Sequence, residues 1–354
     1  QLHCEVKPGD NVFYFTTCGW MMWNWLIGSL SAGASILLFD GFPMYKKDAL
    51  LFEFIEEERA TLFGVSAKYI DELNNKRIIP KNNHNLLKLR TICSTGSPLY
   101  KDGFKYIYNN IKKDVHLSSI SGGTDIVSCF ALGNPLLPVF RGQLQCRGLG
   151  MAVEIFDEDG QSIYGTKGEL VCTQAFPSSP VGFWNDKDDL KFKDAYFYTY
   201  DNVWAHGDYG ELTEEGGVII HGRSDSVLNP GGVRIGTAEI YRQVEKVDGV
   251  LESIAIGQQW KDVSRVVLFV RLQEGLSFDE QLVDKIKKTI KENATPRHVP
   301  SKIIEVPDIP RTLSGKIVEV AVRKMVHGEV VKNTDSLANP EALEFYRDLV
   351  ELQY

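Results

Sequence analysis

The sequence predicts an α/β protein: a helix-covered sheet, then a β-rich subdomain, then a small α+β C-terminal domain. Three observations carry this reading. Between residues 35 and 120, apolar runs alternate with segments of helical period, the pattern of a parallel sheet packed under helices. From about Phe140 to His221, short strands are separated by glycine turns. Beyond Arg223 the chain becomes a compact run of helical and strand segments, with Lys316 in a loop close behind its last strand.

The first strand signal is Ser35 to Asp40, followed by the helical pattern Ala49 to Glu58. Thr61 to Val65 and Thr91 to Ser94 repeat the strand signal, and Lys68 to Asn75 and Lys101 to Asn110 read as helices. Met151 to Phe156, Gly168 to Thr173 and Gly217 to His221 are the strands of the β-rich part. In the last part, Thr237 to Lys246 and Asp279 to Asn293 are helical, and Ser253 to Gly257, Arg265 to Leu272 and Lys302 to Val306 are strands. The change of pattern near Ser224 and Asp225 marks a domain boundary.

Composition excludes several classes. The 354 residues are 43% hydrophobic and 24% charged, enough for a large and a small domain with buried cores. A net charge of −8 argues against a general nucleic-acid or anionic-membrane surface. The apolar stretch Trp20 to Leu30 is too short to cross a bilayer. Six cysteines are scattered without C-x-x-C spacing and stop at Cys172, so they read as reduced packing residues rather than a disulfide or zinc framework.

Four loops carry chemistry. Thr95-Gly96-Ser97-Pro98 follows a strand, where ligands of parallel sheets bind. Ser121-Gly122-Gly123-Thr124-Asp125 combines two permissive glycines with oxygens suited to phosphate or Mg²⁺. His206-Gly207-Asp208-Tyr209-Gly210 places a carboxylate between glycines, able to accept two ribose hydroxyls. Gly222-Arg223-Ser224-Asp225 leads to Asn229-Pro230-Gly231-Gly232-Val233-Arg234, with two arginines for phosphate or ribose. Each alone is an ordinary turn. Together, ahead of Lys316 in Ser314-Gly315-Lys316, they suggest a mobile point charge meeting an anion presented from upstream.

In these motifs the chain resembles the adenylate-forming superfamily of acyl-CoA synthetases and adenylation domains. Phe15 to Trp25, Ser119 to Asp125, Trp204 to Tyr209, Asn339-Pro340-Glu341 and Tyr346-Arg347-Asp348 resemble its acetoacetate–CoA ligase branch. The resemblance implies ATP-dependent activation of acetoacetate through an acyl-adenylate to acetoacetyl-CoA, with ATP, CoA and Mg²⁺, in the cytoplasm and serving ketone-body use in lipid synthesis. It implies catalytic roles for Lys316, Arg234 and Thr124. It places Gly96, Ser97, Pro98, Ser119, Ile120, Ser121, Asp208 and Arg223 at the nucleotide, and Trp20, Met21, Met22, Thr95 and Gly122 around the acyl group. Gly232 is placed at CoA, Asp125 at the metal and Asp225 at a hinge.

Two departures from the superfamily pattern matter. Ser121 stands where an aromatic often stacks on adenine, and Gly122 where acetate-activating relatives carry tryptophan, which predicts a larger acyl pocket. Trp23 and Trp25 read as core. His206 has no evident acid–base task and reads as a loop or ribose-neighbour residue. The implied domains are 1–223, the C-terminal part of a large domain, then a hinge at 224–226, a small domain at 227–330 and a tail at 331–354. A phosphate loop is expected before Phe15 and residues 1–14 contain none, so the chain reads as the C-terminal portion of a longer protein, not fully active alone. Another short-chain acid as substrate, and a non-catalytic nucleotide- or CoA-binding module, are the alternatives.

Overall fold

A computed structural model describes residues 1–45, 50–228, 230, 235–260, 263–313, 315–331 and 334–354. The chain divides into two compact units, residues 1–206 with 210–220, and residues 207–209 with 221–354.

The first unit is built on a five-stranded sheet. Its strands are β1 (Asn11–Tyr14), β2 (Ser35–Leu37), β3 (Leu62–Ser66), β4 (Thr91–Thr95) and β5 (His116–Ser119), in the spatial order β2-β1-β3-β4-β5. Every neighbouring pair is parallel. Alternate side chains therefore enter different cores. Phe13, Phe63, Val65 and Ile92 join one apolar cluster with Leu51, Phe52 and Ile55, while Val12, Tyr14, Leu62 and Cys93 join another with Met21, Met22 and Leu26. Burying each such large side chain contributes about 1.5–3 kcal/mol. Gly64 is required on the second face, because a Cβ there would lie 2.0 Å from the Tyr14 ring.

Helices α1 (Met21–Gly28), α2 (Leu50–Glu57), α3 (Ala67–Asn75) and α4 (Lys101–Tyr106) cover the sheet. The Ser66 hydroxyl caps α3 by accepting from the Tyr69 N–H. The helix expected to run to Asn110 changes at Ile107 into a π-turn ending at Ile111. The predicted strand at residues 35–40 ends at Leu37, and the start of the predicted helix at Ala49 lies outside the described residues.

After β5 come β6 (Ser121–Gly123), β7 (Ser128–Leu132) and β8 (Cys146–Arg147), an antiparallel three-stranded sheet. Then β9 (Val153–Phe156), β10 (Gly168–Cys172), the short helix α5 (Leu190–Tyr196), β11 (Trp204–Leu212) and β12 (Val218–Arg223) follow. The four strands order as β12-β11-β10-β9. All six cysteines are free thiols, with Cys18 exposed.

The second unit contains α6 (Thr237–Val244), the long hairpin β13 (Val250–Trp260) and β14 (Val263–Leu272), α7 (Glu280–Asn293), β15 (Lys302–Glu305) and α8 (Glu319–Val326). β14 pairs antiparallel with β13 and parallel with β15. Asp279 caps α7 by accepting from the Leu282 N–H at 2.8 Å. The division falls at His221, slightly ahead of the change of pattern near Ser224. Among the described residues, no helix is long and apolar enough to cross a membrane.

Candidate active site

In the first unit the site residues gather at the carboxyl ends of β4 and β5. Thr95 closes β4, and its hydroxyl donates to the Ile120 carbonyl at 2.8 Å, while the Ile120 N–H donates to the Ser94 carbonyl at 2.8 Å. These bonds hold Ser119 and Ile120 against the loop of Gly96, Ser97 and Pro98. Gly96 takes φ +91°, the left-handed region that glycine enters without strain. Trp20 caps the start of α1 and packs within 4 Å of the space where a Gly96 Cβ would stand.

Met21 and Met22 are buried in the cluster containing Val12, Tyr14 and Cys93, with Trp20, Trp23 and Trp25 packed against it. This agrees with the core reading of Trp23 and Trp25. It places the two methionines in packed core.

The Ser121 to Asp125 segment differs from a simple loop. Ser121–Gly123 is strand β6, paired with β7 through a register irregularity between Ser121 and Gly122. A Cβ on Gly122 would lie 2.1 Å from the Ser128 carbonyl oxygen and 2.7 Å from the Cys129 Cα. The missing side chain therefore makes room for β7. A tryptophan at this position would require a differently built β6–β7 pair. Two glycines in succession read as a turn in the sequence, but here they permit close backbone approach within a sheet.

Gly123 makes room for His206, whose Cε1 would be 2.8 Å from an added Cβ. The indole Nε1–H of Trp204 donates to His206 Nδ1 at 3.4 Å, and His206 Nε2 lies 3.2 Å from the Gly122 carbonyl. Thr124 and Asp125 follow β6 on an exposed turn in which Val127 takes φ +46°. The Tyr196 hydroxyl donates to an Asp125 carboxylate oxygen. Among the described residues no group of three or more His, Cys, Asp or Glu could form a metal cage. A single exposed carboxylate such as Asp125 fits Mg²⁺ only where substrate phosphates and water supply most of its ligands.

In the second unit, Asp208 and Arg223 pair at 3.0 Å, with the Asp208 side chain 11% exposed. Gly207 makes the pair possible. It takes φ +77°, and an added Cβ would lie 2.5 Å from an Arg223 guanidinium nitrogen. The predicted Gly-Asp loop lies inside β11, with the glycine as a local irregularity of the strand.

Arg223 Nε also lies 3.9 Å from Asp225, whose backbone carbonyl accepts from Arg323 at 2.9 Å. A cavity of about 340 Å³ opens beside this segment, lined by Asp225, Ser226, Glu319, Arg323 and His327 among others. Arg234 and Gly232 lie outside the described residues.

Lys316 closes a tight turn. Thr312 N–H donates to the Lys316 carbonyl at 2.8 Å, the Lys316 N–H donates to the Thr312 hydroxyl at 3.1 Å, and Gly315 takes φ +81°. Ser314 of the same turn lies outside the described residues. The residue keeps exposed surface, yet removal of water around its ammonium lowers its pKa below the ordinary lysine value. The Asp208 carboxylate opposes this shift and the Arg223 guanidinium adds to it.

Sequence reasoning missed the C-terminal tail as a support for this turn. The Ala338 N–H donates to the Arg311 carbonyl at 2.8 Å, and the Leu313 N–H donates to the Ser336 carbonyl at 3.0 Å. Asn339 accepts from the Arg311 N–H at 2.8 Å and donates to the Ile309 carbonyl at 3.0 Å. Asn339 and Tyr346 were visible only as members of unusual strings, with no local signal for their partners.

The first unit carries polar groups at strand ends, and the second carries an acid–arginine pair and a lysine turn. The AMP-binding enzyme pattern matches residues 1–177, and the AMP-binding enzyme C-terminal domain pattern matches residues 242–316. The chain belongs to the AMP-binding enzyme family. It is similar to the acetoacetyl-coenzyme A synthetase of Rhizobium meliloti, with 57% identity over 100% of this chain and 54% of that protein. The acetoacetyl-CoA synthetase of Mus musculus is 46% identical over 100% of this chain and 53% of its own length. The solved acetoacetyl-CoA synthetase from Streptomyces lividans aligns with a TM-score of 0.93 at 42% identity, covering 100% of this chain and 55% of that one. A benzoate CoA ligase from Burkholderia xenovorans, at 22% identity and a TM-score of 0.72, shares the fold. The chain spans about half the length of the curated relatives it matches.

Proposed function

We propose that this chain is the C-terminal portion of an acid–thiol ligase that activates acetoacetate with ATP and passes the acyl group to CoA, in the cytoplasm. In the first half-reaction the acid carboxylate oxygen bonds to the α-phosphorus, the bond from that phosphorus to the bridging oxygen breaks, and pyrophosphate leaves. In the second, the CoA sulfur bonds to the acyl carbonyl carbon, the carbonyl–oxygen bond to AMP breaks, AMP leaves and the thiol proton passes to solvent.

A carboxylate attacking phosphorus needs alignment and charge neutralisation more than a strong base. Lys316 supplies a movable positive charge for the developing anion, Asp208 accepts from the ribose, and Arg223 holds Asp208 in place. Thr124 faces phosphate, Arg234 adds a second cation, and Asp225 is the pivot that brings Lys316 in and withdraws it. Mg²⁺, when bound at Asp125, would neutralise phosphate charge. The observation that supports the proposal is the Asp208–Arg223 pair, 3.0 Å apart and made possible by the bare Cα of Gly207, in the same unit as the Lys316 turn.

The identity of the acid rests on the relatives, and a ligase for another short acid is the second reading. Substrate-dependent ATP–pyrophosphate exchange tests both, using this chain and a version extended upstream to the length of its relatives. Acetoacetate is expected to support exchange at least tenfold better than acetate or 3-hydroxybutyrate in the extended protein. Equal exchange with all three would replace the first reading with the second. Binding of AMP or CoA with no exchange in either protein would make this a binding module.

A further inference from the structure

His206, Trp204 and Tyr196 form one assembly that touches β6 and its following turn at two points. Trp204 is buried, with Tyr196 stacked on its face at 3.6 Å between ring centroids and 15° between planes. Phe176, Phe192 and Phe197 meet the same indole at 5.4, 6.0 and 5.9 Å. The indole N–H is only a donor, so His206 Nδ1 must be the acceptor and the ring proton must lie on Nε2. That proton points at the Gly122 carbonyl 3.2 Å away. Phe130, at 4.6 Å, packs edgewise on the imidazole and fixes its plane. At the other end of the segment the Tyr196 hydroxyl holds Asp125. One indole thus supports two clamps, one on a backbone carbonyl and one on a carboxylate.

We infer that His206 and Tyr196 are positioning residues, held by Trp204, that set the two ends of the Gly122–Asp125 segment separately: His206 the end nearest Thr95 and Ile120, Tyr196 the phosphate-facing end. The inference rests on the ligase reading for its kinetic consequence, but the clamping itself does not. Tyr196 engages one carboxylate oxygen of Asp125 and leaves the other for a ligand. His206 performs no proton transfer; its ring is committed at both nitrogens.

The test uses Tyr196→Phe, which keeps the stack on Trp204 and removes only the hydroxyl, with His206→Ala and His206→Gln, whose amide can still donate to Gly122. Hydrogen exchange of this chain is read over residues 121–128, and KM values are read in the upstream-extended protein. His206→Ala is expected to speed exchange at 121–123 and raise KM for the acid about tenfold, the loss of one hydrogen bond, with KM for ATP unchanged and His206→Gln restoring both. Tyr196→Phe is expected to speed exchange at 124–128 and raise KM for ATP by a similar factor, leaving the acid unchanged. Uniform changes in both substrates, or unaltered exchange across 121–128 in both His206→Ala and Tyr196→Phe, would overturn the inference. If the extended wild-type protein shows no acid-dependent pyrophosphate exchange, the ligase reading fails, and the hydrogen-exchange arm alone decides the clamps.

Discussion

At Gly207 the absent Cβ leaves the volume through which the Arg223 guanidinium reaches Asp208. Gly207→Ala therefore meets two obstacles, a left-handed φ of +77° and a guanidinium in the way. The backbone penalty alone is about 1–2 kcal/mol. Urea unfolding is expected to show a loss of at least that size, and AMP binding by calorimetry is expected to weaken as Asp208 is released. Unchanged affinity would separate the ion pair from nucleotide binding. Lys316 gives a prediction about pH. Burial holds its pKa below the ordinary lysine value, so the ammonium neutralises at a lower pH than a free lysine. The adenylation rate is then expected to fall on the alkaline side ahead of the ordinary lysine range. Phosphates favour the charged form, so the limb in kcat, which reports the bound state, is expected at higher pH than the limb in kcat/KM. Lys316→Ala is expected to remove the limb along with most of the rate; a limb that persisted would belong to another group.

Strands and turns behave differently as carriers of information. Alternation of strand-like and helical segments was enough to read β3 and β4, which are buried on both faces, whereas β1 lies ahead of the alternating region and was not read. β6 and β11 were misread as loops for a physical reason. Gly122, Gly123 and Gly207 look like turn residues, but each clears space for a neighbour in the fold: the adjoining strand at Ser128, and the sequence-distant His206 and Arg223. Nothing local in the sequence reports such a partner. The same holds for Tyr196, which lies 71 residues from Asp125, and for the tail that braces the Lys316 turn. Asn339→Ala would leave the Arg311 N–H without its acceptor, at a cost of about 1–3 kcal/mol if the group stays buried. Faster hydrogen exchange at 311–317 and a larger loss in adenylation than in thioester formation are expected. Equal losses in both half-reactions would mean that the tail supports the unit as a whole.

For the whole molecule, the account divides labour along the chain. The first unit offers strand ends, two glycine-permitted approaches and the Asp125 carboxylate, and the second carries the Asp208–Arg223 pair, Asp225 and the braced lysine turn. The order of these motifs was legible because each has a distinctive composition. Acid selectivity was not, since the sequence around Gly122 does not report that its missing Cβ makes room for β7. The central claim is that Lys316 serves the first half-reaction. Its most direct test compares Lys316→Ala with wild type in the upstream-extended protein, measuring ATP–pyrophosphate exchange and, separately, thioester formation from supplied acetoacetyl-adenylate and CoA. Exchange reduced at least a hundredfold, equivalent to about 2.7 kcal/mol of lost transition-state stabilisation, with thioester formation within about threefold of wild type, is the predicted result. Equal losses in the two reactions would contradict it.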